Sequence, residues 1–378
     1  MLSGGGTGGH ITPILAVAHE LKQQDPSVRI VYIGERNGKF AELLHDNRDI
    51  EEVRTIFAGK FRRFHGESWL KRLFDVRTNL LNIRDLFLFA AGFIQSIWLI
   101  KRLKPDIVFL KGGFVGVPVG LSSALWHTPF VTHDSDALPG LANRIVARWA
   151  RYHATGMPAE FYPYPKDSVV HVGVLVANAY QHVTPQLQVE YRQQIGIPLE
   201  AEVLLVTGGS LGAAAINQAV RLIAPSLLEH DPKLHIVHQV GKGKQGAYAG
   251  FTHERLHVLE FLQPMYAYTG ASDVVVARAG ANTIAELGVQ GRAVILVPNP
   301  HLTGGHQTKN ADHLAAKNAV KVVTEVELEP DGHALQAAIT DLLTDSTERL
   351  TLGQTLQSIT IPDAAQKLAT LLLEIADK

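Results

Sequence analysis

The chain has 378 residues, of which 46% are hydrophobic and 19% charged, with a formal net charge of −1. Length and composition fit two or three packed domains rather than disorder, and the near-neutral balance gives no basis for a nucleic-acid partner. The absence of cysteine excludes disulfides, thiolate metal sites and thiol nucleophiles, and fits a reducing compartment.

A glycine turn occupies the place where a signal peptide would carry an apolar run, so the expected compartment is the cytosol. Residues 4–13 read Gly-Gly-Gly-Thr-Gly-Gly-His-Ile-Thr-Pro and lead into an apolar-periodic helix from Ile14 to Leu21. Glycines let backbone N–H groups close on an anion, the helix N-terminus adds a favourable dipole, and histidine titrates nearest neutrality. The turn therefore predicts a phosphate beside a proton transfer at His10. Only Met1, Leu2 and Ser3 precede it, which is short for a buried strand, and the expectation is that the true strand start lies upstream. Gly4, Gly6 and Gly9 also satisfy G-x-G-x-x-G, with Glu35 near the position of a ribose-binding acid, so a dinucleotide oxidoreductase competes at this point.

The next feature is electrostatic. Lys60 to Lys104 holds ten basic against three acidic side chains, a local charge of +7, interleaved with Phe61, Phe64, Trp69, Phe74, Phe87, Phe89, Phe93 and Trp98. Leu86 to Ile100 is about fifteen residues long, too short and too polar to span a membrane. Two readings stay open: a core helix with a solvated basic face, or a face resting on anionic lipid. Beyond it, short apolar runs alternate with helical patterns: Arg29–Ile33, Asp106–Leu110, Phe130–His133, Val169–Val172, Val203–Thr207, His235–Gln239, Val274–Ala277, Ala293–Pro298 and Val320–Thr324. These predict parallel strands with crossover helices, an α/β architecture. A domain boundary is expected within Gly173–Pro185, then a helix Gln186–Ile195, and a final helix Ala364–Ala376 with Asp363 as N-cap.

Four glycine-bearing turns follow predicted strands: Gly4–His10, Lys111–Pro118 with Gly112, Gly113 and Phe114, Thr207–Ala213, and Arg278–Thr283. Ligands of open α/β sheets bind beyond the carboxyl ends of strands, where these turns fall, and two turns per half suggest two phosphate-bearing ligands meeting in a cleft. Thr7 and Ser210 add hydroxyls. Glu286, three residues after Thr283, lies on the same side of a helix and can accept both hydroxyls of a ribose. Pro298–Gln307 is a polar turn suited to sugar hydroxyls. His301 and His306, five apart, form a poor metal pair, and no metal site is expected.

In motif order and spacing, Gly5–His10 with Pro13, Gly112-Gly113-Phe114, His133–Asn143, Gly208–Ala213, Arg278–Glu286 and Gln307 with Asn310-Ala311 resemble the peptidoglycan N-acetylglucosaminyltransferases of the MurG type. These enzymes add N-acetylglucosamine to a lipid-linked muramoyl-pentapeptide. The resemblance implies a GT-B architecture of two Rossmann-like domains with parallel sheets facing across a cleft. An acceptor and membrane-facing domain would cover 1–172, a UDP-sugar domain 173–362, and the helix in 363–378 would return to the first. It implies an inverting transfer from UDP-N-acetylglucosamine without cofactor or tightly bound metal, and a peripheral location on the cytoplasmic face of the membrane, with 60–104 on the anionic surface.

By carry-over, Gly5, Gly6, Gly112, Gly113 and Phe114 would meet the acceptor diphosphate, and Thr7, Gly8, Gly9 and Asp136 the reacting sugar. Ser210 would meet the donor diphosphate, the Leu262 backbone the uracil, Arg278, Ala281, Asn282, Thr283 and Glu286 the ribose and sugar, and Gln307 the sugar hydroxyls. His10 is the candidate base, with Asp134 in reserve. The chain departs from the family pattern at His133-Asp134-Ser135-Asp136 (His-Glu-Gln-Asn), Gly173–Ala177 (Gly-Asn-Pro-Val-Arg), Leu211 (Gln) and His306 (Gln). Those changes keep two other expectations in view: transfer to a different lipid acceptor, and a non-catalytic protein that binds or anchors UDP-sugars.

Overall fold

A computed structural model describes the chain except residues 6, 7, 37, 39–43, 45, 46, 61–74, 249, 303, 304 and 378, with the backbone alone at 8 and 247. Gly6, Thr7 and the aromatic residues Phe61 to Phe74 of the basic stretch thus lie outside the described residues. The chain divides into two compact units, residues 1–177 with 363–378, and residues 178–362.

The first unit is built on seven parallel strands: β1 (Leu2–Ser3), β2 (Val31–Glu35), β3 (Glu52–Ile56), β4 (Val108–Leu110), β5 (Phe130–Asp134), β6 (Tyr152–Thr155) and β7 (Val169–His171). They lie in the order β3-β2-β1-β4-β5-β6-β7. β1 is two residues long and central: Leu2 faces Tyr32 on one side and Phe109 on the other. Phe109 N donates to Met1 O and Lys111 N to Ser3 O, each at 2.9 Å. Helices α1 (Gly8–Gln24), α2 (Val76–Leu103), α3 (Gly116–Leu125) and α4 (Leu141–Val146) cross over between strands. The core gathers Ile33, Ile56, Val108, Leu110, Val119 and Phe130.

The second unit repeats the plan with six parallel strands, β8 (Glu202–Thr207), β9 (Leu234–Gln239), β10 (Leu256–Leu259), β11 (Val274–Ala277), β12 (Ala293–Leu296) and β13 (Lys321–Val322), ordered β10-β9-β8-β11-β12-β13. β11 is Val-Val-Val-Ala with every residue buried, the composition of a parallel strand covered on both faces. Its helices are α5 (Pro185–Ile195), α6 (Ala214–His230), α7 (Met265–Ala271), α8 (Ala281–Gln290), α9 (His306–Ala315), α10 (His333–Thr344) and α11 (Ser346–Ile359). The last helix, α12 (Ala364–Ala376), packs on α1 of the first unit. Ala364, Ala365, Leu368, Ala369 and Leu372 form its buried stripe, and Thr370 Oγ1 donates to Gln24 Oε1 at 2.9 Å.

Three expectations change. α1 starts six residues before the predicted helix, so His10 sits in its first turn rather than ahead of it. Asp363 stands at the N-cap position of α12 as expected, but its side chain caps no backbone N–H; its carboxylate pairs with Lys367 at 3.0 Å, one helical turn on. And the apolar stretch ending at Ile100 is part of a 28-residue helix, long and apolar enough by length and composition to cross a membrane. One face of α2 nevertheless packs inward through Asp85, Gly92, Ser96, Leu99 and Ile100. A Cβ on Gly92 would stand 1.8 Å from the Phe57 carbonyl oxygen, and Gln95 Oε1 accepts from Phe57 N at 2.8 Å. The opposite face exposes Val76, Leu80, Ile83, Phe87, Ile94 and Trp98, spaced by three, four or seven residues and so aligned in a single stripe.

Each core also buries an imidazole. His153 stacks on Tyr164 at 3.7 Å between centroids, and His238 lies between Tyr248 OH and Asn217 Oδ1. Burial lowers their pKa to about 4 and about 3 respectively, against about 6.5 unfolded. Between those values the unfolded chain binds more protons, so the stability contributed is complete above pH 6.5 and declines as pH falls. Denaturant unfolding at pH 7 and pH 5 is expected to show a loss on the order of 1–2 kcal/mol per histidine, and a smaller loss in His153→Gln.

Candidate active site

In the first unit the strand order reverses between β1 and β4, and the two glycine turns follow those two strands. They pack backbone against backbone. A Cβ on Gly113, at φ +81°, would lie 2.5 Å from Gly5 O. Only glycine permits that approach. His10 Nδ1 lies 2.8 Å from Gly5 O; because a carbonyl accepts, Nδ1 carries the hydrogen, and Nε2 is the basic atom of the neutral ring. Nε2 points toward Gly112, 3.9 Å from where a Cβ would stand. Burial first, then the charge of Lys111, lowers the His10 pKa to about 4, against the Gly5 bond and Asp136. His10 is therefore uncharged at neutral pH. Gly8 and Gly9 occupy the same first turn of α1, and Phe114 packs against the core beneath.

Asp134, at the end of β5, is buried. Its Oδ1 accepts from Gly140 N and Asn143 Nδ2, each at 2.9 Å, and its Oδ2 from Tyr164 OH at 2.8 Å. Burial pushes its pKa up while those donors pull it down. With three donors on its two oxygens, this carboxylate ties β5 to the start of α4 and to Tyr164. Asn143 Nδ2 also bonds His133 O, and His133 Nε2 donates to Gly173 O, both at 2.9 Å. Asp136 is half-buried, and its carbonyl accepts from Tyr162 OH at 2.8 Å.

The second unit reverses between β8 and β11, and again a glycine turn follows each strand. Thr207 Oγ1 donates to Gln239 Oε1 at 2.7 Å and accepts from Gly209 N at 3.1 Å. Gly212 has φ +66°, and a Cβ there would lie 1.8 Å from Val240 O. Ser210 and Leu211 are exposed at the tip, where Lys244 Nζ donates to Leu211 O at 2.8 Å. No side chain caps α6, so no side chain takes up its first N–H groups, the condition for a helix N-terminus to receive an anion.

After β11, Arg278 donates to Val297 O at 3.0 Å and pairs with Glu325, which ties it into the unit. Ala281, Asn282 and Thr283 form the first turn of α8, likewise without a side-chain cap. Glu286, half-buried one turn on, accepts a hydrogen bond from Tyr180, and burial raises its pKa to about 7. Leu262 is buried in the core of the second unit. Gln307 Oε1 accepts from Asn299 N at 2.9 Å, and Asn310 Nδ2 donates to Ala279 O at 3.0 Å, fixing α9 beside the Arg278–Thr283 turn. Lys111, Tyr162, Tyr164 and Tyr180 were not singled out from sequence; their roles arise from partners 24 to 106 residues away.

Residues 1–155 match the glycosyltransferase family 28 N-terminal domain and residues 203–368 its C-terminal domain. The UDP-N-acetylglucosamine--N-acetylmuramyl-(pentapeptide) pyrophosphoryl-undecaprenol N-acetylglucosamine transferase of Salinibacter ruber is 33% identical, covering 100% of this chain and 97% of the relative. The protein of the same name from Dechloromonas aromatica is 34% identical over 100% and 98%. The chain belongs to the MurG family. The crystal structure of Acinetobacter baumannii MurG superposes with a TM-score of 0.71 at 26% identity, covering 99% of each chain. The calicheamicin glycosyltransferase CalG4 shares the fold at a TM-score of 0.67 and 15% identity. Membership in the MurG family sets the oxidoreductase reading of the first turn aside.

The glycines give a direct test of the second turn. Gly212→Ala forces a Cβ into the Val240 carbonyl and is expected to cost roughly 2–3 kcal/mol or more. Gly209→Ala, at φ +79° with no atom within 4 Å, is expected to cost about 1 kcal/mol of left-handed strain alone. Thermal unfolding of the two variants checks the order.

Proposed function

We propose that this protein transfers N-acetylglucosamine from UDP-N-acetylglucosamine to a lipid-linked N-acetylmuramyl-pentapeptide acceptor in peptidoglycan synthesis. The observation that carries the reading is full-length kinship with transferases of that name, in a chain whose two glycine-turn pairs each lie at the strand-order reversal of their own sheet. The acceptor diphosphate rests on the Gly5–Gly9 and Gly112–Phe114 turns, and Asp136 reads the sugar. In the second unit the Ser210 hydroxyl and the α6 N-terminus hold the donor diphosphate. The Leu262 backbone meets the uracil, Glu286 the ribose hydroxyls, and Asn282, Thr283 and Gln307 the sugar.

The acceptor hydroxyl attacks the anomeric carbon, forming the new C–O bond as the bond to the UDP oxygen breaks with inversion. Its proton passes to His10 Nε2. Negative charge develops on the departing diphosphate, where oriented backbone donors count most. Asp134 contributes by holding the β5 end rigid. We read α2 as the membrane contact. Its exposed apolar stripe carries Arg77, Arg84, Lys101 and Arg102 alongside, with the Arg102 guanidinium 4.9 Å over Trp98 and Lys101 Nζ 5.3 Å over Trp126. A helix packed on one face and apolar with basic flanks on the other fits a place in the interface rather than across it, which supports a peripheral location; kinship with the MurG family favours the cytoplasmic face.

UDP release in the presence of a lipid-linked acceptor tests the activity. His10→Ala is expected to lower turnover by about 10²–10⁴ while leaving UDP-sugar affinity unchanged. Near-full turnover would remove His10 from the role of base. For the membrane contact, co-sedimentation with vesicles containing anionic lipid is expected to fall at least tenfold in Phe87→Glu/Ile94→Glu; binding indifferent to both lipid charge and these substitutions would refute it.

A further inference from the structure

Lys111 ends β4 immediately before Gly112 and is buried, 4% exposed. A buried ammonium is costly unless its surroundings need it. Its recorded hydrogen bond is to a neutral partner, Ser135 Oγ, at 2.9 Å, and the carboxylates that favour its charge are Asp134 and Asp136. Asp134 already accepts from Gly140, Asn143 and Tyr164. The stem of Lys111 packs under the first glycine turn: a Cβ on Gly4 would lie 3.2 Å from Lys111 Cβ. The residue next to it in the chain, Gly112, faces His10 Nε2. The cation is thus set between the carboxyl ends of β1, β4 and β5, under both turns.

We propose that Lys111 is a positioning residue of the transfer reaction: its buried ammonium, set beside the imidazole, opposes protonation of His10 while a diphosphate lies on the two glycine turns. The inference rests on the reading of those turns as the acceptor-diphosphate site. An acceptor diphosphate brings negative charge beside the imidazole, which would favour imidazolium and remove the base. Among the described residues, the charged groups that face His10 are Lys111 from β4 and Asp136 from beyond β5. Without Lys111, Asp136 and the ligand would act together to protonate the ring. Lys111 also opposes charge on His133, so it disfavours imidazolium at His10 and His133 alike. In the acid direction the sign is definite: removing the cation raises His10 proton affinity, and the base is lost at a higher pH.

The test is an NMR titration of the histidine rings in the full chain, with His10→Ala identifying the His10 signals, with and without inorganic pyrophosphate. In the wild type His10 is expected to stay neutral to below about pH 5, and in Lys111→Gln its proton affinity to rise about tenfold, more with pyrophosphate bound. The acid limb of kcat/KM for UDP release is expected to move upward by the same amount, while Lys111→Arg leaves both near the wild type. If Lys111→Gln does not fold, Lys111→Cys serves instead. In a chain with no other cysteine, alkylation of the unfolded variant with bromoethylamine restores an ammonium, and refolding should restore the titration. A folded Lys111→Gln or unalkylated Lys111→Cys with an unmoved His10 titration overturns the proposal. The ring titration needs no turnover, so an absence of UDP release in the wild type would count against the transferase reading and leave this result standing.

Discussion

Each sheet has a point where strand order reverses, and backbone geometry there controls what the rest of the molecule can do. In a parallel sheet the chain must run one way from the first strand and then return to build the other side, so the crossover helices beside that point diverge and leave a crevice at the strand carboxyl ends. The order β3-β2-β1-β4 in one unit and β10-β9-β8-β11 in the other places that reversal beside β1 and β8. Turns at such a place must be close-packed and still present N–H groups outward. Gly113 against Gly5 and Gly212 against Val240 meet that demand with contacts that leave no room for a Cβ.

Much of this was legible in the sequence because it depends on local composition. Val274–Ala277 is bounded in the structure as its apolar run suggests, and the four glycine turns flank the two reversals. What escaped were elements whose character is set by distant partners. β3, with Glu52 pairing to Arg29 and Arg54, is an edge strand whose outward charge hides the alternation. β6, Tyr-His-Ala-Thr, carries an imidazole in the core, where it meets the Thr132 hydroxyl at 2.8 Å and stacks on Tyr164. The 3.6-residue period of α1 was visible from Ile14 onward, but its first turn opens on two glycines and a histidine, with Ile11 alone as an apolar mark.

The site shows the same division. Motif spacing located Asp134 and Glu286, yet their environments are tertiary. Asp134 is anchored by Tyr164, thirty residues later. Glu286 is met by Tyr180, whose ring also lies edge-on to Tyr266 at 6.3 Å. A carboxyl raised to about 7 by burial and already bonded to a phenol is a different reagent from the exposed first-turn glutamate that periodicity alone would describe. Lys111 is the clearest case, since a lysine before a glycine pair reads as surface until the ends of three strands are seen to close around it.

The return of α12 to α1 has a consequence for biogenesis. The hydrophobic groove on α1 is filled by residues that leave the ribosome after every strand of the other unit, so the amino-terminal half cannot complete its packing while it is being translated. Until synthesis passes residue 376, the half that carries the long apolar helix α2 has an unfilled apolar seam. Such an intermediate is a natural client for holdase chaperones, and carboxy-terminal nonsense mutations would be read first as defects of the amino-terminal half.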